Sequence, residues 1–255
     1  MLTLGVDFAA DPARTALCWI RWEGGKAEVI PGASCGADDN ALLSAFADAD
    51  KVGIDAPFGW PDAFVEAIVA HRDGRPRPDH DGSREPLRFR LTDVAVHDRT
   101  RRWPLSVSSD RIGVTTMRLA GLLSKLEQNG ETVARDGSGK LVEVYPAAAL
   151  AVWGFDSRGY KRKENRDARC RLLAAIEART RTWLTLPDET RTRCQDSDDV
   201  LDAVIAALVA RAAATGRCEP IPDEARAHAQ REGWIALPCV SGLDELAVSE
   251  PSATL

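Results

Sequence analysis

The chain has 255 residues, room for one large α/β domain or two small ones. Its 44% hydrophobic and 28% charged residues are the proportions of a globular protein, and no apolar run reaches the ~18 residues of a membrane span. A formal net charge of −6 excludes a general polyanion binder, so any nucleic-acid site has to be a local basic patch. The six cysteines form no C-x-x-C pair, which excludes a zinc ribbon. With no basic segment leading into an apolar stretch at the start, the expected setting is the reducing cytoplasm.

Leu2 to Ala10 reads as a first strand, with Leu2, Leu4, Val6 and Phe8 alternating with Thr3, Gly5 and Asp7. Asp7 is the odd residue, because an ionised carboxylate beside a core needs a cationic partner. Thr15 to Glu23 and Lys26 to Ile30 are further strands around the Gly24-Gly25 turn, completing an antiparallel meander. Asp38 to Asp48 has helical spacing and its own cap. Lys51 to Asp55 is a short apolar strand that again ends on a carboxylate, stopped by Pro57. Phe58 to Pro61 is a rigid aromatic loop, and Asp62 to His71 is helical.

Arg72 to Arg102 holds nine arginines among Pro, Gly and Asp, the composition of an inserted loop or lid. Its Phe89-Arg90-Leu91-Thr92-Asp93 segment is the most ordered part. Arg90 and Asp93, three apart, fit an internal ion pair as well as a phosphate-holding pair. Arg84 and Arg88 are further phosphate-holding candidates. Thr115 to Gln128 is a helix with Leu119, Leu122, Leu123 and Leu126 inward. Leu141 to Tyr145 is a strand interrupted by Glu143, and Pro146 to Trp153 is a short helix. Gly159 to Lys163 is a small basic loop, and Asn165 to Thr182 a long charged helix. Ser197 to Ala213 is an Ala-rich helix capped by Ser197, with Asp199 and Asp202 on one face. Trp234 to Leu237 reads as a last short strand, and the tail from Ser249 as frayed.

Five acids stand out: Asp7, Asp55, Glu143, Asp199 and Asp202. Carboxylates without His or Cys suit Mg²⁺ or Mn²⁺. Three or four of them can hold two ions about 3.5–4 Å apart, the clamp for an in-line phosphoryl displacement. Four of the acids also have a plainer reading: Asp7 as a salt-bridged residue, Asp55 as a turn former, Glu143 on a solvated strand face, and Asp199 as a helix-start charge; Asp202, in the second turn among apolar residues, is harder to dismiss. The four histidines share no metal or triad spacing. The absence of G-x-S-x-G, P-loop and G-x-G-x-x-G patterns removes the commonest hydrolase, NTPase and dinucleotide readings.

Five segments occur in order: Gly5-Val6-Asp7-Phe8-Ala9, Gly53-Ile54-Asp55-Ala56-Pro57, Phe89-Arg90-Leu91-Thr92-Asp93, Val142-Glu143-Val144-Tyr145-Pro146 and Asp199-Val200-Leu201-Asp202-Ala203. Together they resemble the DUF429 family of predicted nucleases in the RNase H-like superfamily. The resemblance implies an α/β fold: a mixed five-stranded sheet in the order 3-2-1-4-5, flanked by helices. It implies one domain over residues 1–245, an arginine-rich insertion at 72–114, a helical insertion at 146–196 and a flexible tail at 246–255. Asp199 and Asp202 look like the Asp-x-x-Asp-Ala pattern of RuvC-type resolvases. The implied activity is Mg²⁺- or Mn²⁺-dependent cleavage of nucleic acid or a nucleotide. Asp7, Asp55 and Asp202 would be metal ligands, with Asp199 a fourth. Glu143 would complete the set or orient water, and Arg90, Asp93 and Lys161 would bind substrate. Two other classes stay open: a non-catalytic nucleic-acid or nucleotide-binding module, and an actin-like phosphotransferase, which needs a duplicated core and glycine-rich phosphate loops.

Overall fold

The computed structural model describes residues 1–76, 82–162 and 164–248. Arg77 of the arginine-rich stretch, Lys163 of the basic loop and the expected tail from Ser249 lie outside the described residues.

Strands β1 (Leu2–Asp7), β2 (Ala16–Glu23) and β3 (Lys26–Val29) form the expected meander, with β2 antiparallel to both neighbours. A two-residue strand, β4 (Ser34–Cys35), pairs with the start of β2. Helix α1 (Asp39–Asp48) begins where the Asp38 carboxylate accepts the Ala41 N–H at 2.8 Å. It leads to β5 (Lys51–Asp55), parallel to β1. Helices α2 (Asp62–Arg72), α3 (Glu85–Arg88), α4 (Leu91–Thr100) and α5 (Ile112–Gln128) precede β6 (Leu141–Glu143), which is parallel to β5. Then come α6 (Pro146–Val152), α7 (Arg166–Thr180), β7 (Leu184–Thr185), α8 (Asp188–Asp196), α9 (Asp198–Ala214), α10 (Arg226–Glu232) and α11 (Gly242–Glu245).

Among the described residues the sheet has seven strands in the order β6-β5-β1-β2-β3-β7, with β4 on β2 outside that path. The expected five are a contiguous run of it, β3-β2-β1-β5-β6, but the five-strand count is corrected by β4 and β7. Each is two residues long and carries no periodic pattern. The expected strand at Trp234–Leu237 shrinks to one bridge between Ile235 and Glu143. Leu246 is fully buried, so the packed body runs past residue 245.

The two faces of the sheet follow the period of two. Leu4, Val6, Val52 and Ile54 point to one side and pack with Leu42 and Phe46 of α1 and Leu119, Leu122 and Leu123 of α5. Gly5 and Gly53 point to the other side, against α9, where Ala203, Ala206 and Ala207 are fully buried. The helix rests almost on the strands: a Cβ on Gly5 would lie 1.9 Å from the Ala203 carbonyl oxygen and 2.3 Å from the Ala207 nitrogen. Both are backbone atoms and cannot step aside. Gly5→Ala is therefore expected to cost about 2–3 kcal/mol or more, read as a lower urea midpoint; an unchanged midpoint would contradict this packing.

The arginine-rich stretch is not the loop its composition suggests. It contains α3 and α4, and Val96 of α4 is buried with Ala148, Val152, Ile235 and Leu237. Asp93 explains the start of α4, since its carboxylate accepts the Arg90 N–H at 2.9 Å. Arg84 and Arg88, by contrast, are exposed.

Candidate metal centre

Asp7 and Asp55 are register partners on parallel neighbours, each the last residue of its strand. They stand two residues after Gly5 and Gly53, so their side chains point to the α9 side of the sheet. The glycines let α9 come close, and the aspartates then meet what it carries. That residue is Asp202, 1% exposed. One ligand oxygen from each of Asp7, Asp55 and Asp202 lies within 4.8 Å of the others.

Such crowding is costly for carboxylates. Burial, then Asp55 and Asp202, push the Asp7 carboxyl well above its usual range. Burial raises Asp55 to about 7, with Lys161 pulling the other way and Asp202 adding to the rise. Burial also raises Asp202, against the pull of Lys161 and Tyr160. Lys161 Nζ donates to Asp202 Oδ2 at 2.6 Å and lies 3.8 Å from Asp55 Oδ2. Burial opposes its charge, but Asp202, Tyr160, Asp55 and Asp7 outweigh that and hold the ammonium well above the ordinary lysine range. The Tyr160 hydroxyl donates to the other oxygen of Asp202 at 2.8 Å. Asp199, one helical turn before Asp202, accepts from Arg14 Nη2 at 3.0 Å and lies at the rim.

Three expected site residues are placed elsewhere. Glu143 is the register partner of Ile54, not of Asp55, so it projects from the opposite face of the sheet. There its oxygens accept from Arg90 Nη2 at 2.7 Å, Arg90 Nη1 at 2.8 Å and the Phe58 N–H at 2.9 Å. Arg90, 1% exposed, also donates to Asp93 at 2.9 and 3.2 Å and to the Glu232 carbonyl at 3.1 Å. Five N–H groups thus meet five acceptors. Arg90 and Asp93 form the internal pair rather than an arm toward substrate, and Glu143 is committed to them. Lys161, expected to hold substrate, sits among the carboxylates.

Asp62, His228 and Glu232 also approach one another within 4.8 Å. Hydrogen bonds hold Asp62 and Glu232 as a staple, while His228 Nδ1 lies 2.7 Å from Asp62 Oδ2 without hydrogen-bond geometry. Arg231 holds Asp62 at 2.6 Å. Glu232 accepts the N–H groups of Asp62 at 2.8 Å and Leu91 at 2.9 Å, the first residues of α2 and α4.

Tyr160 and Arg14 are contacts the sequence analysis missed. Tyr160 adjoins Lys161 in the basic loop, the one local signal for it. Arg14 meets Asp199 across 185 positions of sequence, and no local pattern points to it.

A family model described as "Protein of unknown function (DUF429)" matches residues 5–227 of the chain. No curated protein and no solved structure matches it.

Proposed function

The chain belongs to the DUF429 family, and from the convergence of Asp7, Asp55 and Asp202 we propose that it is a Mg²⁺- or Mn²⁺-dependent phosphodiesterase acting on nucleic acid. The donors fit such an ion: all are carboxylate oxygens, the preference of hard cations. Their charges fit as well, since three acids face one ammonium and two of them stand one opposite the other. A bound divalent ion supplies a Lewis acid for a phosphodiester oxygen and an acidified water as nucleophile. Asp7, Asp55 and Asp202 would hold it. Lys161, and Arg14 at the rim, offer positive charge to non-bridging phosphate oxygens. The RNase H-like resemblance supports this reading through the strand order β3-β2-β1-β5-β6 and the two acids at adjacent strand ends. The actin-like alternative gains no support, because the described residues build one sheet rather than a duplicated core.

The test is incubation with end-labelled single- and double-stranded DNA and RNA in Mg²⁺ or Mn²⁺. Cleavage of at least one substrate is expected, lost about 100-fold or more in Asp202→Asn. Four intact substrates in both metals, or full activity in Asp202→Asn, would overturn the assignment. Binding without cleavage would establish the non-catalytic module instead.

A further inference from the structure

Lys161 is a half-exposed lysine whose tip and flanking residues are nevertheless tied down. Tyr160, directly before it, is 2% exposed and bonded to Asp202. Arg169, also 2% exposed, donates to the carbonyls of Tyr160 at 3.1 Å and Arg162 at 2.9 Å, the residues on either side of Lys161. The loop is clamped so that the lysine stem enters the site and its ammonium stands between Asp55 and Asp202.

That position bears on how many ions the centre takes. A two-ion site places its cations about 3.5–4 Å apart between shared carboxylates. Here one such place between two carboxylates already holds a positive charge. The acids left to ligate are few, because Glu143 is on the opposite face and Asp199 is paired with Arg14. Asp202 has one hydrogen bond on each oxygen already. Three ionised aspartates balance one ammonium and one divalent ion. A second divalent ion would leave an excess of two positive charges around the buried Asp202, beside an ammonium it repels.

We propose that Lys161 is a built-in cation that takes the place of a second metal ion, so that the centre binds a single divalent ion and the ammonium supplies the other positive charge. The proposal rests on the metal-dependent reading above and narrows it. The single ion is bound through carboxylate oxygens not engaged by Lys161 and Tyr160. Removing the ammonium while keeping its stem should open the second position.

The experiment is Mn²⁺ titration of the full chain, with free Mn²⁺ followed by electron paramagnetic resonance. Wild type should bind about one ion per chain, Lys161→Met about two and Lys161→Arg about one, all with the wild-type near-ultraviolet circular dichroism spectrum. Two ions in wild type, or one in folded Lys161→Met, would overturn the inference and leave the nuclease reading standing. Should Lys161→Met not fold, the wild-type and Lys161→Arg stoichiometries decide alone. No Mn²⁺ binding by wild type would remove both the inference and the reading beneath it.

Discussion

Asp7→Asn is expected to abolish Mn²⁺ binding and lower cleavage by at least ~100-fold, while making the metal-free protein harder to unfold. The two effects have one cause. Asp7 is held beside Asp55 and Asp202 in a pocket where burial alone disfavours its charge. The amide keeps the shape and removes that charge, so the strain between like charges falls. A gain of about 1–3 kcal/mol at pH 8 is expected, a rise of several degrees in Tm for a chain of this size.

The pH dependence has a definite sign. A carboxyl whose folded pKa lies above its unfolded value near 3.8 keeps a proton that the unfolded chain gives up. Its contribution to stability is present at low pH and is lost as pH rises through the folded value, about 7 for Asp55. Metal-free wild type should therefore lose stability between about pH 4 and 7, and further as Asp7 ionises. The advantage of Asp7→Asn should grow as pH rises above about 4 and be larger at pH 8 than at pH 5. Added Mn²⁺ should raise the Tm of wild type and leave that of the variant unchanged. Thermal unfolding in chelator and in Mn²⁺ across this pH range is the measurement. A variant that still binds Mn²⁺, or melts lower than wild type at pH 8, would contradict this electrostatic account.

The part of this site legible in the sequence is the part carried by local period. Gly5-x-Asp7 and Gly53-x-Asp55 each place an acid at the end of an apolar strand, and Asp202 falls on the Asp199 face of a capped helix. Glu143 shows what local pattern lacks. Its strand interrupts apolar residues much as β1 does, and only the pairing of Ile54 with Glu143 shows that it faces away. Register is a property of two strands and is absent from either alone. The arginine-rich stretch misleads for another reason. Charge and proline describe what its surface residues do, while one buried guanidinium and one capping aspartate decide that it folds. The short β7 and polar α8, where Thr190 and Cys194 are the buried residues, have too little apolar period to announce themselves.

Arg90 offers the sharpest separation of structural from functional acids. Arg90→Ala is expected to destabilise the protein by about 3–5 kcal/mol, because it strands Glu143 and Asp93 as buried carboxylates without their cation. Burial opposes the guanidinium, yet Asp93 and Glu143 more than offset this, so Arg90 stays charged when the network is intact. The loss should then depend on the charge left behind. In an Arg90→Met background, Glu143→Gln should recover part of the stability, although the same change in wild type should cost some. Urea unfolding of the four proteins closes that cycle. Manganese stoichiometry, measured in the cold where the weakest variant remains folded, should stay at the wild-type value throughout, since none of these groups belongs to the Asp7–Asp55–Asp202 cluster. Had Arg90 served to grip a substrate phosphate, Arg90→Ala would unfold at the wild-type urea concentration and show its defect in KM. Had Glu143 been a ligand, Glu143→Gln would lose metal. Either result would move these residues back to the reacting centre, and the register of β5 with β6 is the physical reason to expect neither.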